Sequence, residues 1–270
     1  MGDDDLSQNY DTINLHRRGP AATIELNRPD RMNAWSDRLS LDLLTAIREV
    51  ADDPQVRAVL ITGAGRGFSS GADLKEGAAR AGDGKFDPYQ VLTERYHPII
   101  TGIRFMPKPV VAAVNGAAAG IGASLALACD LVVAAESAYF SFAFVNIGLV
   151  PDGGSSLLVP SRVGFARAAE LAILGERLPA RDALDWGLIN RVVAAEQLES
   201  SVLELVESIA RSSPYTVATG KRAFYTQIDR SEHDAYERCE VVMTENSLAH
   251  DAQEGMSAFL EKRPPVWRGD

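Results

Sequence analysis

The stretch Pro109 to Ser156 sets the terms for the rest of the chain. It reads PVVAAVNGAAAGIGASLALACDLVVAAESAYFSFAFVNIGLVPDGGSS. An apolar run, Val110 to Val114, meets Asn115-Gly116 and reads as a buried strand followed by a turn. Small residues carrying Gly120 and Gly122 lead into an Ala/Leu/Cys helix, and Leu131 to Ala134 reads as a second buried strand. A buried strand, a helix and a second buried strand fit an α/β core. Two features of the stretch can do chemistry. The backbone N–H groups near Gly120 to Gly122 stand at a helix start, where the first turn leaves donors unpaired. Asp152 is a single acid in an otherwise apolar run, and it has two readings. In Pro151-Asp152-Gly153-Gly154 it is either a turn residue capping the next helix or a proton carrier beside those N–H groups.

The remaining pattern agrees with an α/β core. Thr12–His16 and Ala22–Leu26 read as strands of a hairpin turning at Arg17-Arg18-Gly19-Pro20. Ser36 or Asp37 can cap a helix to about Ala51, with Leu39, Leu43, Ala46, Ile47 and Val50 on one face. Arg57–Thr62 reads as a strand, 63–71 as a glycine-rich loop, 78–88 as a mobile surface loop and 89–106 as a helix. Beyond residue 195 only helices are predicted. The organisation expected is a disordered N-terminus over 1–9, a core over 10–195 and a helical region over 196–270.

Charge and composition exclude several functions. A net charge of −10 with no basic block argues against nucleic acid or an anionic membrane as partner. Cys129 and Cys239 lie far apart and offer neither a metal spacing nor a disulfide framework, so no metal is expected. The first residues, MGDDDLSQNYD, resemble no signal or transit peptide, and a soluble cytoplasmic protein is expected. Gly63-Ala64-Gly65-Arg66-Gly67 follows a strand, but its G-x-G-x-G spacing opens no helix. It also comes some sixty residues into the chain, and a dinucleotide fingerprint is rejected in favour of a turn.

Three segments in order carry a resemblance. They are Phe68-Ser69-Ser70-Gly71-Ala72-Asp73-Leu74-Lys75-Glu76; Ala113-Val114-Asn115-Gly116 with Gly120-Ile121-Gly122; and Gly148-Leu149-Val150-Pro151-Asp152-Gly153-Gly154. With the C-terminal run 254–263, they resemble the crotonase, or enoyl-CoA hydratase/isomerase, family, and most of all its isomerase branch of phenylacetate degradation. The resemblance implies an α/β spiral of ββα turns, the crotonase (ClpP-like) core, followed by a helical region that assembles trimers or dimers of trimers. It implies an acyl-CoA thioester substrate, with coenzyme A as part of the substrate and no separate cofactor. It assigns the oxyanion hole to the backbone N–H groups of Ala72 and Ile121, and the catalytic acid to Asp152. Two such donors would stabilise the enolate formed beside a thioester, each typically worth ~100–1000-fold in rate.

The resemblance also places Arg31, Ser70, Asp73, Leu74, Lys75, Gly120 and Phe144 about the substrate, with Phe259 and Lys262 reaching a CoA bound largely by a neighbouring subunit. Surface charge is the alternative for Arg28, Arg31 and Lys75, and Asp73 is expected to order its own loop. His97 either enters the pocket or packs, while Phe140 and Phe142 are either pocket wall or core. Hydratases of the family carry glutamates where this chain has Ser124 and Phe144. One remaining acid is enough for a double-bond shift but not for efficient hydration, which calls on a second group for water. An isomerase is therefore expected. A hydratase, an aryl-CoA dehalogenase using Asp152 as nucleophile, and a non-catalytic RNA-binding member are the alternatives.

Overall fold

A computed structural model of the chain describes residues 6–77, 87–228 and 230–270. The expected mobile loop at 78–88 falls mostly on 78–86, outside the described residues. The chain winds through two sheets at once. Strands β2 (Ile13–Arg18) and β3 (Ala21–Leu26) form the predicted hairpin. Strands β4 (Ala58–Gly63), β6 (Val110–Val114), β8 (Leu131–Ala135) and β11 (Arg191–Val193) then add in parallel and, with β1 (Leu6–Asn9) on the far edge, complete a seven-stranded sheet ordered β1-β2-β3-β4-β6-β8-β11. After each of β4, β6 and β8 the chain drops into a second sheet as β5 (Gly67–Ser69), β7 (Ala117–Ala119) and β9 (Tyr139–Ser141). There β5, β7 and β9 run parallel, and β10 (Arg177–Pro179) closes the edge antiparallel to β9. Each turn thus gives one strand to each sheet before a helical crossover returns the chain, as parallel pairing requires.

The residue pattern explains the layers. All five residues of β6 are buried, which is why the sequence shows no alternation there. Helix α1 (Asp37–Asp52) starts with the Ser36 hydroxyl accepting the Leu39 N–H, and it buries Leu39, Leu43, Ala46, Ile47 and Val50 as predicted. Burial of each large side chain in that stripe contributes about 1.5–3 kcal/mol. Pro88–Val91 forms a short α2, and α3 spans His97–Phe105. Helix α4 (Ile121–Ala128) is buried throughout. Helix α5 (Ser155–Leu174) breaks at Gly164 (φ 76°, ψ 166°). After α6 (Ala180–Asp185) and β11 the elements are helical: a short 3₁₀ turn, α7 (Leu198–Ala210), α8 (Pro214–Gln227), α9 (Glu232–Leu248) and α10 (His250–Glu261).

Two expectations are corrected, and one placement was not legible in the sequence. Residues 6–9, read as part of a disordered N-terminus, form β1 (Leu6–Asn9), paired antiparallel with β2. Their polar sequence carries no apolar alternation, and the free edge of β2 supplies the backbone partners instead. The glycine-rich loop at 63–71 contains β5. Phe144 lies on a 3₁₀ turn (Ala143–Ile147) rather than on the strand that carries Phe140.

Candidate active site

Two loops cross at the end of the second sheet. Beyond β5 the chain passes Gly71, whose φ of 92° suits glycine, and a Cβ there would lie 2.9 Å from the Ala119 carbonyl oxygen. Trp35 N–H donates to Gly71 O (2.8 Å) and Asp73 N–H to Trp35 O (2.9 Å), bracketing Ala72 in a parallel bridge. In such a bridge the N–H of the bracketed residue points away from its partner strand, so that of Ala72 faces outward from Trp35. Beyond β7, Gly120 (φ 51°) gives its N–H to Ser141 O at 2.9 Å. Ile121 opens α4, and its N–H has no intrahelical acceptor. A Cβ on Gly71 would lie 3.7 Å from Gly120 Cα, so the two loops touch. Ala72 and Ile121 both line one cavity of about 160 Å³ with Gly120, Phe144, Tyr96 and Asp152.

Asp152 enters this cavity on the loop before α5. Its main-chain oxygen is saturated, accepting from Ser155 N–H (2.9 Å), Ser155 Oγ (2.7 Å) and Ser124 Oγ (3.2 Å). Its side chain caps nothing. The cap position of α5 is Gly154, which has no side-chain cap bond, and Asp152 Oδ1 is buried without a hydrogen-bond partner. The capping interpretation of Asp152 is therefore not how the loop is built. Burial pushes the carboxyl up to about 6, against a smaller opposing pull from His97.

A second cavity of about 560 Å³ opens from the same residues. Ala72, Leu74, Tyr96, Ile147, Leu149 and Asp152 line both spaces, and Trp35, Val91, Leu92 and Val150 extend the larger one. Tyr96 owes its position to a distorted turn. Pro98 cannot donate to the carbonyl four residues back, and His97 N–H instead reaches five residues back to Leu92 O. The Tyr96 ring stands edge-on to Trp35, with centroids 5.3 Å apart and planes at 90°. Burial, and then the Asp152 charge, raise its phenol to about 12.

The other predicted residues divide. Ser70, Leu74, Gly120 and Phe144 line the smaller cavity. Asp73 orders its loop: it pairs with Arg28 at 3.1 Å and accepts the Glu76 N–H at 3.4 Å. Arg31 and Lys75 are exposed and line neither cavity. Phe140 and Phe142 are core residues that line neither. His97 is exposed and bears on Asp152 only through its charge. Phe259, 83% exposed, and Lys262 stand on the last helix and line neither cavity within one chain. Sequence reasoning missed Trp35, Tyr96, Ile147 and Leu149. A proline two residues after Tyr96 was the available signal that the helix there is irregular.

Among the described residues, one trio of metal-ligand type lies close together: His250, Asp251 and Asp270, with ligand atoms within 4.8 Å. The Asp251 carboxylate there is already occupied by Ser213 Oγ and the N–H groups of Arg268 and Gly269. Among the described residues no helix is long and apolar enough to cross a membrane.

Residues 17–270 match the family model described as enoyl-CoA hydratase/isomerase. The chain belongs to that family, the crotonases. Among its relatives is the 1,2-epoxyphenylacetyl-CoA isomerase of Escherichia coli, 38% identical over 255 residues, covering 92% of this chain and 94% of that protein. A probable enoyl-CoA hydratase of Rhodobacter capsulatus is also 38% identical, over 260 residues, covering 96% and 99%. The crystal structure of an enoyl-CoA hydratase from Bacillus anthracis superposes with a TM-score of 0.89 at 32% identity, covering 96% of this chain and 100% of that one. The fold is thus the crotonase fold and the chain is an enzyme of that family. Equal identity to a crotonase named isomerase and one named hydratase means that relatedness does not select the reaction.

Proposed function

We propose that this crotonase shifts a double bond in an enoyl-CoA thioester, or rearranges an aryl-acetyl-CoA, with Asp152 moving the proton. The observation that carries the reading is the buried, unpartnered Oδ1 of Asp152, in the cavity that Ala72 and Ile121 also line. A carboxylate with no internal partner is free to take a proton from substrate. A pKa near 6 leaves it ionised at neutral pH yet more basic than an ordinary aspartate. In this reading Asp152 removes a proton from the carbon beside the thioester carbonyl. The N–H groups of Ala72 and Ile121 hold the oxygen of the resulting dienolate. The protonated acid then returns the proton two carbons further along. No electrons leave the substrate, so the reaction as written needs no redox cofactor.

Hydration is the second reading, favoured by the relative named a probable hydratase. Against it, Ser124 spends its hydroxyl on the main-chain oxygens of Asp152 and Gly120, and Phe144 offers no acid. For the coenzyme, we infer that Phe259 and Lys262 act on a neighbouring copy's ligand. This rests on their distance from both cavities and on the exposed apolar side chains of the last helices, including Phe224, Tyr236, Leu248 and Leu260. The deciding experiment offers 3-hexenoyl-CoA to wild type and Asp152→Asn and scores 2-enoyl and hydrated products. The variant should bind the thioester and lose the double-bond shift. Unchanged turnover would remove Asp152 from the chemistry, and a hydrated main product from wild type would favour the second reading.

A further inference from the structure

The proton shift leaves polar groups of the site unused: the buried Trp35 Nε1, which has no partner, and the Tyr96 phenol. Tyr96 is 8% exposed, lines both cavities, and its phenol makes no hydrogen bond among the described residues. The hydroxyl opens on the cavity, and once sealed from water a tyrosine hydroxyl needs a hydrogen-bond partner. The ring has no freedom to drift, because it packs edge-on against buried Trp35 and sits at the distorted turn before Pro98. Val91, Leu92, Ile147 and Leu149 give the larger cavity apolar walls, with the carboxylates of Asp37, Asp73, Glu76 and Asp152 also on its lining. A hydrocarbon chain filling this space would seal the hydroxyl away from water and offer it no acceptor. An acyl group bearing an oxygen would satisfy it.

We propose that Tyr96 is a specificity-determining residue whose O–H donates a hydrogen bond to an oxygen on the acyl group beyond the thioester, so that the site favours oxygen-bearing acyl-CoA thioesters over plain hydrocarbon ones. The inference rests on the acyl-CoA reading but not on Asp152 being the acid. Of the charged groups that act on the phenol, Asp152 acts most strongly, ahead of Arg95 and Glu76. The Asp152 carboxylate is the competing acceptor. The two acceptors differ in outcome: a bond to Asp152 serves every substrate alike, whereas a bond to the acyl oxygen serves only those that have one.

The test measures the affinity of wild type and Tyr96→Phe for hexanoyl-CoA, 3-hydroxyhexanoyl-CoA and 5-hydroxyhexanoyl-CoA by calorimetry. The substitution keeps the ring and its contact with Trp35, and a thermal melt checks that the fold is retained. Wild type should hold at least one hydroxylated thioester about 5–20-fold tighter than hexanoyl-CoA, and Tyr96→Phe should erase that preference while leaving hexanoyl-CoA within about twofold. No preference in wild type overturns the proposal. So does an equal loss for all three ligands, which would mark a packing role or a bond to Asp152, and so does a preference that survives the substitution. The Asp152→Asn variant separates the two levels. Its failure to lose isomerase activity would refute the proton-shift reading and leave the affinity ratio intact, whereas absence of any thioester binding in wild type would remove the acyl-CoA reading itself.

Discussion

Two aspartates, Asp251 and Asp152, are treated in opposite ways. Asp251, 1% exposed, accepts hydrogen bonds from Ser213 Oγ and from the N–H groups of Arg268 and Gly269, and so ties the C-terminal segment to α8 and α10. Burial alone would raise its carboxyl, but the hydrogen bonds from Arg268, Ser213 and Gly269 more than offset this and hold it below the ordinary value. Asp152 has a buried carboxylate oxygen with no partner, and burial pushes its carboxyl up to about 6. The surroundings of Asp152 could have supplied donors, since Ser124 and Ser155 both lie within reach. Both spend their hydroxyls on its main-chain oxygen instead. The contrast teaches that a saturated acid is a structural fastener, while an acid held by its backbone and left open at its side chain is built to meet something that comes and goes.

The sharpest break of this comparison is in rate. Asp152→Asn should lower isomerisation of 3-hexenoyl-CoA by about 10²–10⁴-fold in a steady-state assay, the range of a lost acid–base group. Asp251→Ala should leave that rate near wild type per folded molecule. Its effect belongs to stability, with a loss of about 2–4 kcal/mol in denaturant unfolding, because a hydroxyl and two N–H groups lose their acceptor. A large rate loss in Asp251→Ala without unfolding would collapse the distinction. Gly71→Ala comes next. Its φ of 92° and the 2.9 Å approach to Ala119 O force the backbone to move, and the adjacent Ala72 N–H moves with it. About 10–100-fold should be lost from kcat, with KM changed less.

The smallest effect is the pH dependence of stability, and its sign differs at the two acids. Asp152 has a folded pKa raised from 3.8 to about 6, so its ionisation opposes folding progressively as pH rises through that window. Asp152→Asn should therefore be more stable than wild type by about 2–3 kcal/mol above about pH 7, with no gain below about pH 4. Asp251 has a lowered pKa, so its contribution is present above its unfolded value and is lost as pH falls through the folded one. Chemical denaturation from about pH 2 to 8 reads both, with Asp152 acting between about pH 4 and 7 and Asp251 below about pH 4. In wild type the same Asp152 ionisation should appear as an acid limb in kcat/KM with an inflection near 6.

Much of this was legible in the chain. The Leu39–Val50 stripe, the apolar runs that became β6 and β8, and the glycines at 71 and 120 are local signals, and each was used as local physics predicts. The short strands β5, β7 and β9 were harder. Three residues are too few for a period, and they are held by partners brought alongside by the spiral. Phe140 and Phe144 look alike in sequence, and only the change from strand to 3₁₀ turn after Ser141 sends one to the core and the other to the cavity.

By itself the sequence determined the α/β class, the N–H-bearing loop at Gly120 and the presence of one acid among apolar residues, while the Ala72 loop was placed only by the resemblance. The first three follow from periodicity, from glycine's freedom and from charge, which are properties of neighbours along the chain. The tertiary structure decided that Oδ1 of Asp152 is buried without a partner, that Tyr96 and Trp35 stand beside it, and that Arg28 is spent on Asp73. Such facts depend on which groups from distant segments come within about 3 Å of one another, and hydrogen-bond partners across folds of the chain leave no mark on the order of its residues.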